Sequence, residues 1–202
     1  MLRVDLHLHS HFSHDGRSSL QELIDRARAC GIDRLALTDH NTVDGAIELA
    51  RIAPVLAIVG EEAKTREGEV IGLFITGQLQ PYLRPEEVMD AVHAMGGLVY
   101  VPHPLDPNRS HFRTERIVDL ADRIDILETY NPWCDASANR AAAALANDLD
   151  KVAATGSDAH SADELGRSWM EMEEYSDVQD FLEKLRHARH VVTAASGTGR
   201  RA

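Results

Sequence analysis

Short apolar runs alternate with longer helix-periodic segments along almost the whole chain. The runs are rich in Val, Ile and Leu, and they predict strands at residues 2–8, 34–38, 55–59, 70–75, 98–101, 124–129, 152–155 and 190–193. This alternation is typical of βα units around a mostly parallel sheet. The chain has 202 residues, enough for one domain but short for an eight-fold β/α barrel. We expect a single domain at residues 1–195 and a flexible tail at residues 196–202.

The intervening segments carry recognisable helix ends. Ser19 and Glu22 form the pattern of a capping box, and Gly31 is suited to end that helix in a left-handed conformation. Pro85 suits a first helical position, and Asp177 suits an N-cap. The alanine-rich stretch at residues 136–148 also predicts a helix.

Composition restricts the setting and the partners. The net charge of −12 argues against a broad basic surface for long nucleic acids. No apolar run approaches the roughly 20 residues that span a membrane, so we expect no membrane partner. The start of the chain lacks the pattern of a signal peptide, and two cysteines are too few for a disulfide framework. We therefore expect a cytoplasmic protein.

Clusters of His, Asp and Glu follow the predicted strands. They are DLHLHS at residues 5–10, TDH at 38–40, GEE at 60–62, PHP at 102–104, ETYN at 128–131 and SDAH at 157–160. The carboxyl ends of parallel strands in a barrel converge on one mouth, where barrel active sites are built. The six clusters therefore predict one site.

Imidazole and carboxylate dominate these strand ends, and both are preferred ligands of Zn²⁺, Mn²⁺ and Fe²⁺. Burying so many carboxylates together is costly unless cations compensate their charge. The alternative is a set of separately hydrogen-bonded histidines at a barrel rim. Because six clusters occur in register, we favour a site for several divalent metal ions.

The order of these motifs, from DLHLHS and SHDG through TDH, GEE and PHP to SDAH, closely resembles the PHP family of metal-dependent phosphoesterases, in its short stand-alone form. The resemblance covers about residues 2–195. It implies a distorted (β/α)7 barrel with two or three divalent metal ions (Zn, Mn or Fe). By motif match, the implied ligands are His7, His9, Asp15, His40, Glu62, His103, Asp158 and His160.

The GEE motif offers two adjacent glutamates. The family pattern is Gly, any residue, Glu, so the resemblance selects Glu62 and turns Glu61 to the other side of the strand. The family often has another histidine ligand between this motif and PHP, and the sequence has none there before His93, which falls inside a predicted helix. Glu69 lies near the missing position and is the candidate additional ligand.

Other polar residues near the motifs are candidates for supporting roles. Arg109 and Arg167 could bind substrate phosphate, because the guanidinium group matches phosphate oxygens. His11 is a candidate substrate contact, and Trp133 could stack on a base or pack structurally. The remaining candidates, for holding water or orienting ligating imidazoles, are Asp5, Asp39, Glu128 and Asn131, and we also include Asn131 among the substrate contacts.

These features predict an enzyme that hydrolyses phosphate esters with a hydroxide bridging two metal ions. We assign the catalytic roles to Asp15, His40, Asp158 and His160. The expected partner is a small phosphomonoester, a nucleotide or the end of an oligonucleotide. Two alternatives stay open: an inactive metal-binding or regulatory domain, and a metal-dependent hydrolase of a non-phosphate ester or amide.

Overall fold

The computed structural model describes residues 1–193 of the chain. A single sheet is the framework, and its strands are β1 (Leu2–Leu8), β2 (Arg34–Leu37), β3 (Ala57–Lys64), β4 (Glu69–Leu73), β5 (Leu98–Val101), β6 (Ile126–Tyr130), β7 (Val152–Thr155), β8 (Ser168–Met172) and β9 (Arg189–Val192). The helices are α1 (Leu20–Cys30), α2 (Asp44–Ile52), α3 (Pro85–Ala94), α4 (Thr114–Asp119), α5 (Ala136–Asp148) and α6 (Val178–Arg186). The expected tail and the last two residues of the expected domain lie outside the described residues.

The strand order is β7-β6-β5-β4-β3-β2-β1-β8-β9, and the sheet curves into a nearly closed barrel. Strands β1, β2 and β3 are parallel, as are β5, β6 and β7, whereas β4 is antiparallel to both of its neighbours. These six strands share one direction, as does β9, which is antiparallel to β8. The carboxyl ends of the six form the edge that we call the mouth. The expected α/β barrel is confirmed, but within residues 1–193 the sheet has nine strands instead of the seven of the expected scheme.

Strand β1 closes the barrel, and its two ends have different partners. We call the junction between β1 and the segment after β7 the seam. Its first residues pair with β8, with Leu2 opposite Met172 in an antiparallel ladder. Its last residues meet the segment after β7, where the amide of His9 donates to the carbonyl of Ala159 at 2.8 Å. The amide of Asp158 donates to the carbonyl of His7 at 2.7 Å. The seam therefore closes at the mouth, next to the motifs at both ends of the chain.

The sequence analysis did not predict β8, and it predicted that β3 ends at residue 59, before the GEE motif. Strand β8 has the sequence SWMEM, in which buried and part-buried residues alternate, and its polar positions hid the pattern of a strand. Strand β3 continues through GEE to Lys64 because it pairs with β4 in a hairpin that sets Gly60 opposite Leu73 and Lys64 opposite Glu69. The carboxylates of GEE therefore lie within a paired strand and not in a loop.

The predicted helix ends agree with the structure. The Ser19 hydroxyl and Glu22 form the reciprocal capping box of α1, and Gly31 ends the helix with φ of 68°. Pro85 opens α3, and the Asp177 carboxylate accepts hydrogen bonds from two amides at the start of α6. Helix α5 occupies Ala136–Asp148, as predicted.

Two apolar clusters fill the fold. One lies between the sheet and helices α1, α2 and α3, and it contains outward-facing strand residues such as Leu35 and Val99. The other takes the opposite face of the strands, including Ala36 and Tyr100, and α6 contributes Phe181 to it. The barrel is thus a packed body, and its polar site is confined to the mouth.

Candidate metal centre at the barrel mouth

The first group of ligand candidates joins β1, β3 and the loop after β5. The Nε2 atom of His103 lies 3.2 Å from Oε1 of Glu62, and Nε2 of His7 lies 3.3 Å from Oε2 of the same carboxylate. All three side chains are buried. His103 adopts a positive φ of 31°, an uncommon backbone conformation for histidine that occurs often at functional sites.

A second group is rich in imidazoles. The ring of His9 is stacked on that of His40 at 4.4 Å between centroids and lies 4.2 Å from that of His160. An oxygen of Asp15 lies 3.1 Å from Nε2 of His160 and 3.6 Å from Nε2 of His40. The Asp15 side chain is 38% exposed, so this group faces the solvent side of the mouth.

Asp158 connects the two groups. Its Oδ1 atom lies 3.3 Å from Nε2 of His9 and 3.6 Å from Nε2 of His7. The two imidazole nitrogens are themselves only 3.2 Å apart. Asp158 has a positive φ of 46°, so the chain is not extended between Asp158 and His160 as regular alternation would require, although both reach the site.

Glu69 lies at the edge of the same cluster. Its carboxylate, that of Glu62 and a nitrogen of His40 can be chosen within 4.8 Å of one another. Its Oε2 atom lies 3.9 Å from Nε2 of His103, and its Oε1 atom lies 3.9 Å from Nζ of Lys64. The hairpin of β3 and β4 delivers Glu69 to this position, because Glu69 is opposite Lys64 in the ladder.

The donor set fits divalent metal ions. Facing lone pairs of two imidazole nitrogens, as in His7 and His9, repel each other unless a proton or a cation lies between them. Among residues 1–193, the candidate ligand atoms form four overlapping groups within 4.8 Å, all of imidazole nitrogen and carboxylate oxygen. They are His9/His40/His160, His7/Glu62/His103, His7/His9/Asp158 and His40/Glu62/Glu69. Zn²⁺, Mn²⁺ and Fe²⁺ all accept such donors.

Burial and neighbouring charges shift the pKa values of the clustered side chains. Burial alone would raise the pKa of Glu62, but His7 and His40 hold it well below its usual range. Burial lowers the pKa of His40, yet Glu62 and Asp15 raise it to about 9. Burial lowers the pKa of His9 to about 3. Because some of these histidines carry protons and metal ligation requires neutral imidazole, metal binding must release protons.

Glu128 organises the layer behind the ligands. Its Oε1 atom accepts a hydrogen bond from the Tyr100 hydroxyl at 2.8 Å and lies 3.0 Å from Nδ1 of His7. Its Oε2 atom accepts the backbone amide of His103 at 2.7 Å and the side-chain amide of Asn131 at 3.0 Å. The role of Tyr100 was missed, and its only signal is a hydroxyl within the apolar strand before PHP.

Asp39 and Asp5 support the site through hydrogen bonds to the segments that carry the candidate ligands. Asp39 accepts the amide of Ser10 at 2.6 Å and the hydroxyl of Ser13 at 2.8 Å, and the same hydroxyl accepts the amide of His40. It therefore fixes the loop after β1.

Asp5 joins the two sides of the seam. It accepts the amide of Ser157 at 2.9 Å and that of His7 at 3.3 Å. Gly156 lets the segment after β7 approach β1, since a Cβ atom there would lie 2.4 Å from Cβ of His7. The seam and the ligand positions therefore depend on each other.

The substrate candidates occupy different surroundings. Nη2 of Arg109 lies 2.9 Å from Oδ2 of Asp158, and its side chain is 24% exposed. Arg167 stacks over the ring of Trp133 at 4.3 Å, and the Trp133 indole donates to the carbonyl of Ser157. His11 is exposed beside the mouth.

The side chains of Asn131 and Glu61 are both hydrogen-bonded inside the protein, but in different places. Asn131 is buried and donates to both Glu128 and Asp158. Glu61 turns away from the cluster, as expected, and accepts the amide of Leu79. The expected site residues thus come together at one mouth, with Arg167 and His11 at its periphery.

Comparison with known proteins agrees with this geometry. Residues 5–96 match the model of the PHP domain, and residues 136–190 match the model described as PHP-associated. The chain belongs to the PHP family. An uncharacterized protein of Methanocaldococcus jannaschii is 32% identical over 180 residues, which cover 86% of this chain and 71% of that protein.

Solved structures share the PHP fold at low identity. A two-domain protein from Bacteroides vulgatus, described as containing a PHP-like metal-dependent phosphoesterase, has a TM-score of 0.75 at 18% identity and covers 95% of this chain and 64% of that one. An amidohydrolase from Chromobacterium violaceum has a TM-score of 0.70 at 18% identity and covers 94% of this chain and 97% of that one. This chain has the fold of PHP metal-dependent hydrolases, and the fold alone does not select the bond that is cleaved.

Proposed function

We propose that this PHP protein is a metal-dependent phosphoesterase that hydrolyses a small phosphomonoester, a nucleotide or the end of an oligonucleotide. The observation that supports it best is the joining of the ligand groups through Glu62 and Asp158, with the Arg109 guanidinium 2.9 Å from Asp158. Adjacent metal positions beside a fixed cation suit the negative oxygens of a phosphate ester.

The proposed ligands are His7, His9, Asp15, His40, Glu62, His103, Asp158 and His160, with Glu69 as an additional ligand. When bound, two or three ions of Zn, Mn or Fe would make an attacking water acidic and neutralise the phosphoryl oxygens. The protein's own contribution is to fix these donors from buried strand ends, so that little rearrangement is needed at the moment of reaction.

The proposed catalytic residues are Asp15, His40, Asp158 and His160, of which Asp158 is buried between the two ligand groups and the other three lie in the group nearer to solvent. Asp15 is the most exposed of them, and its carboxylate contacts His40 and His160 on the solvent side of the cluster. Asp158 keeps one oxygen towards His9 and presents the other to Arg109. Arg109 is thereby positioned to orient a phosphate group against the ligands.

The charge of the chain favours a short substrate. A net charge of −12 repels a long polyanion, whereas the attraction supplied by metal ions and Arg109 is confined to the mouth. We propose Arg167, His11 and Asn131 as further substrate-contacting residues. Among residues 1–193, no helix is both long enough and apolar enough to cross a membrane.

The test is phosphate release from phosphomonoesters, nucleotides and short oligonucleotides by chelated protein, with and without added Mn²⁺, Zn²⁺ or Fe²⁺. We expect metal-restored release from one substrate group, and loss of release by orders of magnitude in folded His7→Ala and Asp158→Asn variants. His187→Gln, at an exposed helix end, is the matched control.

Two other outcomes would overturn the proposal. Cleavage of amide or carboxylic ester substrates instead of phosphates would assign this site to non-phosphate hydrolysis, because bound metals also polarise carbonyl groups. Metal binding without cleavage of any substrate, in protein shown to be folded, would assign it to a binding or regulatory domain.

A further inference from the structure

The segment between β5 and α4 carries Arg109 to the mouth. We call residues 104–112 of this segment the arginine loop. Within it Asp106 is 2% exposed and Phe112 is 1% exposed, whereas residues 107–108 between them are exposed. Loops are usually more mobile than the strands and helices that they connect. The arginine loop is instead held at two buried points, and Arg109 lies between them.

Asp106 shapes the part of the loop that leads to Arg109. Its Oδ1 atom accepts the backbone amide of Asn108 at 2.9 Å and the side-chain amide of the same residue at 3.1 Å. Its own amide donates to the carbonyl of His103 at 3.3 Å, and its carbonyl accepts the amide of Arg109 at 3.1 Å. Hydrogen bonds from an Asp side chain to the following backbone are typical of turns. The backbone of Arg109 is therefore fixed relative to that of His103.

The thiol of Cys134 connects Asp106 to the loop after β6. Burial raises the pKa of this thiol, so it stays protonated and can donate to the Asp106 carboxylate. Burial alone would raise the pKa of Asp106, but hydrogen bonds, including that from the thiol, hold it below its ordinary value. The amide of Cys134 donates to the carbonyl of Asn131, and the side chain of Asn131 donates to Asp158. The arginine loop and Asp158 thus share one hydrogen-bonded frame.

Phe112 holds the other end of the loop. Its ring covers Gly68 in the turn between β3 and β4, where an added Cβ atom would lie 2.9 Å from the ring. A buried aromatic ring is a strong packing anchor because it removes a large apolar area from water. The freedom of the loop is therefore confined to residues 107–111, and the Arg109 guanidinium stays within reach of Asp158.

We propose that Asp106 is a positioning residue that acts through Arg109, because it holds the arginine loop so that the guanidinium is in place before a phosphate group arrives. The inference rests on the proposed function, in which Arg109 orients phosphate. A binding group that is ordered in advance loses less conformational entropy on binding. Loss of Asp106 should therefore weaken phosphate binding, whereas loss of a nearby negative charge would by itself strengthen it.

The experiment measures the binding of inorganic phosphate to Mn²⁺-loaded protein by titration calorimetry. We expect Asp106→Ala and Arg109→Ala each to raise the Kd for phosphate about tenfold. The double variant should bind no more weakly than Arg109→Ala, because residues that act as one unit are not additive. Asp106→Asn keeps the Oδ1 acceptor and should stay within about twofold of the wild-type Kd. Asp119→Ala, at an exposed position of α4, is the matched control.

Hydrogen–deuterium exchange tests the anchoring of the loop without any phosphate. In Asp106→Ala, the amides of residues 105–111 should exchange about tenfold faster, whereas those of β6 should exchange as in the wild type. Cys134→Ala removes the thiol donor alone and should change exchange and phosphate binding in the same direction by smaller factors. This variant supplies the test if Asp106→Ala does not fold.

An unchanged Kd or unchanged exchange in folded Asp106→Ala, or additive losses in the double variant, overturns the role of Asp106. Phosphate release by the wild-type protein would in that case leave the proposed function standing. If metal-loaded wild-type protein neither binds phosphate nor releases it from any substrate, the proposed function and the role of Asp106 both fail.

Discussion

The Nδ1 atom of His7 lies 3.0 Å from Oε1 of Glu128, and both side chains are buried. With its Nδ1–H donated to Glu128, the ring presents the Nε2 lone pair to the cluster formed with His9, Glu62 and Asp158. The carboxylate thus selects the tautomer that can bind a metal and fixes the plane of the ring. It also accepts the amide of His103, so it fixes two candidate ligands at once.

Replacing Glu128 by Gln should weaken metal binding about 10- to 100-fold, because the amide is a poorer acceptor for the imidazole N–H. Titration calorimetry of chelated protein with Zn²⁺ and with Mn²⁺ measures the effect. Tyr100→Phe removes one hydrogen bond to the same carboxylate and should cause a smaller loss. Equal affinities in all three proteins would show that Glu128 does not orient His7.

Replacing Arg109 by Ala should raise KM for a phosphate substrate about tenfold, because a charge-assisted, fork-shaped donor is lost from the mouth. Retained metal should be unchanged, since Arg109 donates to Asp158 and is not a ligand. Steady-state kinetics and metal analysis are measured on the same samples. Arg140→Ala, on an exposed face of α5, is the control, and an unchanged KM in Arg109→Ala would remove Arg109 from the substrate site.

Glu61 should make stability depend on pH. Burial raises the pKa of its carboxyl to about 7, although the Leu79 amide and Gln78 lower it. The folded state therefore keeps a proton that the unfolded state loses above its ordinary pKa of 4.5. The corresponding stabilisation is complete below pH 4.5 and is lost as the pH rises through 7.

Glu61→Gln should then raise the free energy of unfolding at pH 8 by on the order of 1 kcal/mol and change it little at pH 5. Urea denaturation of metal-free protein across this range measures both values. Glu183→Gln, at an exposed position of α6, should give a curve parallel to the wild type. A wild-type-like pH profile for Glu61→Gln would contradict the raised pKa.

Phe181→Ala should destabilise the fold by about 3–5 kcal/mol, because it removes a fully buried ring and leaves a cavity. The ring packs edge-to-face against Phe74 and Tyr175, each at 4.9 Å between centroids. Urea denaturation measures the loss, with Val118→Ala, which is 49% exposed, as the control. A loss below about 1 kcal/mol would mean that α6 is not an essential part of the core.

Gly156→Ala should open the seam. The added methyl group would lie 2.4 Å from Cβ and 2.6 Å from the backbone nitrogen of His7, so one of the two segments must move. We expect a destabilisation of about 1–3 kcal/mol together with weaker metal binding. Gly77→Ala, where the nearest atom is 4.0 Å away, is the matched control. Unchanged metal affinity in a destabilised Gly156→Ala protein would show that the positions of the candidate ligands do not depend on the seam.

The placement of the candidate ligands could be predicted because strand direction determines it. His7, Glu62 and His103 follow or end apolar runs that are legible in the sequence, and parallel strands bring their ends together. Membership of the PHP family confirms the resemblance on which the ligand set was chosen. The metal roles of the individual residues stay predictions.

The remaining details depend on tertiary contacts that leave no local signal. Asp39 was a candidate for holding water or orienting an imidazole, and it binds Ser10 and Ser13 because the loop after β1 folds back over it. The Ser13 hydroxyl lies 3.4 Å from Nδ1 of His9, so Asp39 meets a candidate ligand through a contact that the sequence does not show. The antiparallel course of β4 follows from a tight turn in which the hydroxyl of Thr65 donates to the carbonyl of Gly68. No period in the sequence distinguishes such a hairpin from another βα unit.

Because the seam joins residues from the first and last parts of the chain, the site can form only late in synthesis. Asp15 and His160, whose side chains meet at the mouth, are 145 residues apart in the chain. At about 5–20 residues per second on the ribosome, Asp158 and His160 are synthesised several seconds or longer after His7 and His9. The nascent chain can bury its first strands, but it cannot offer a complete set of ligands. We therefore expect metal to bind late in synthesis, after residues 157–160 have met β1, and its binding would then stabilise the closed barrel.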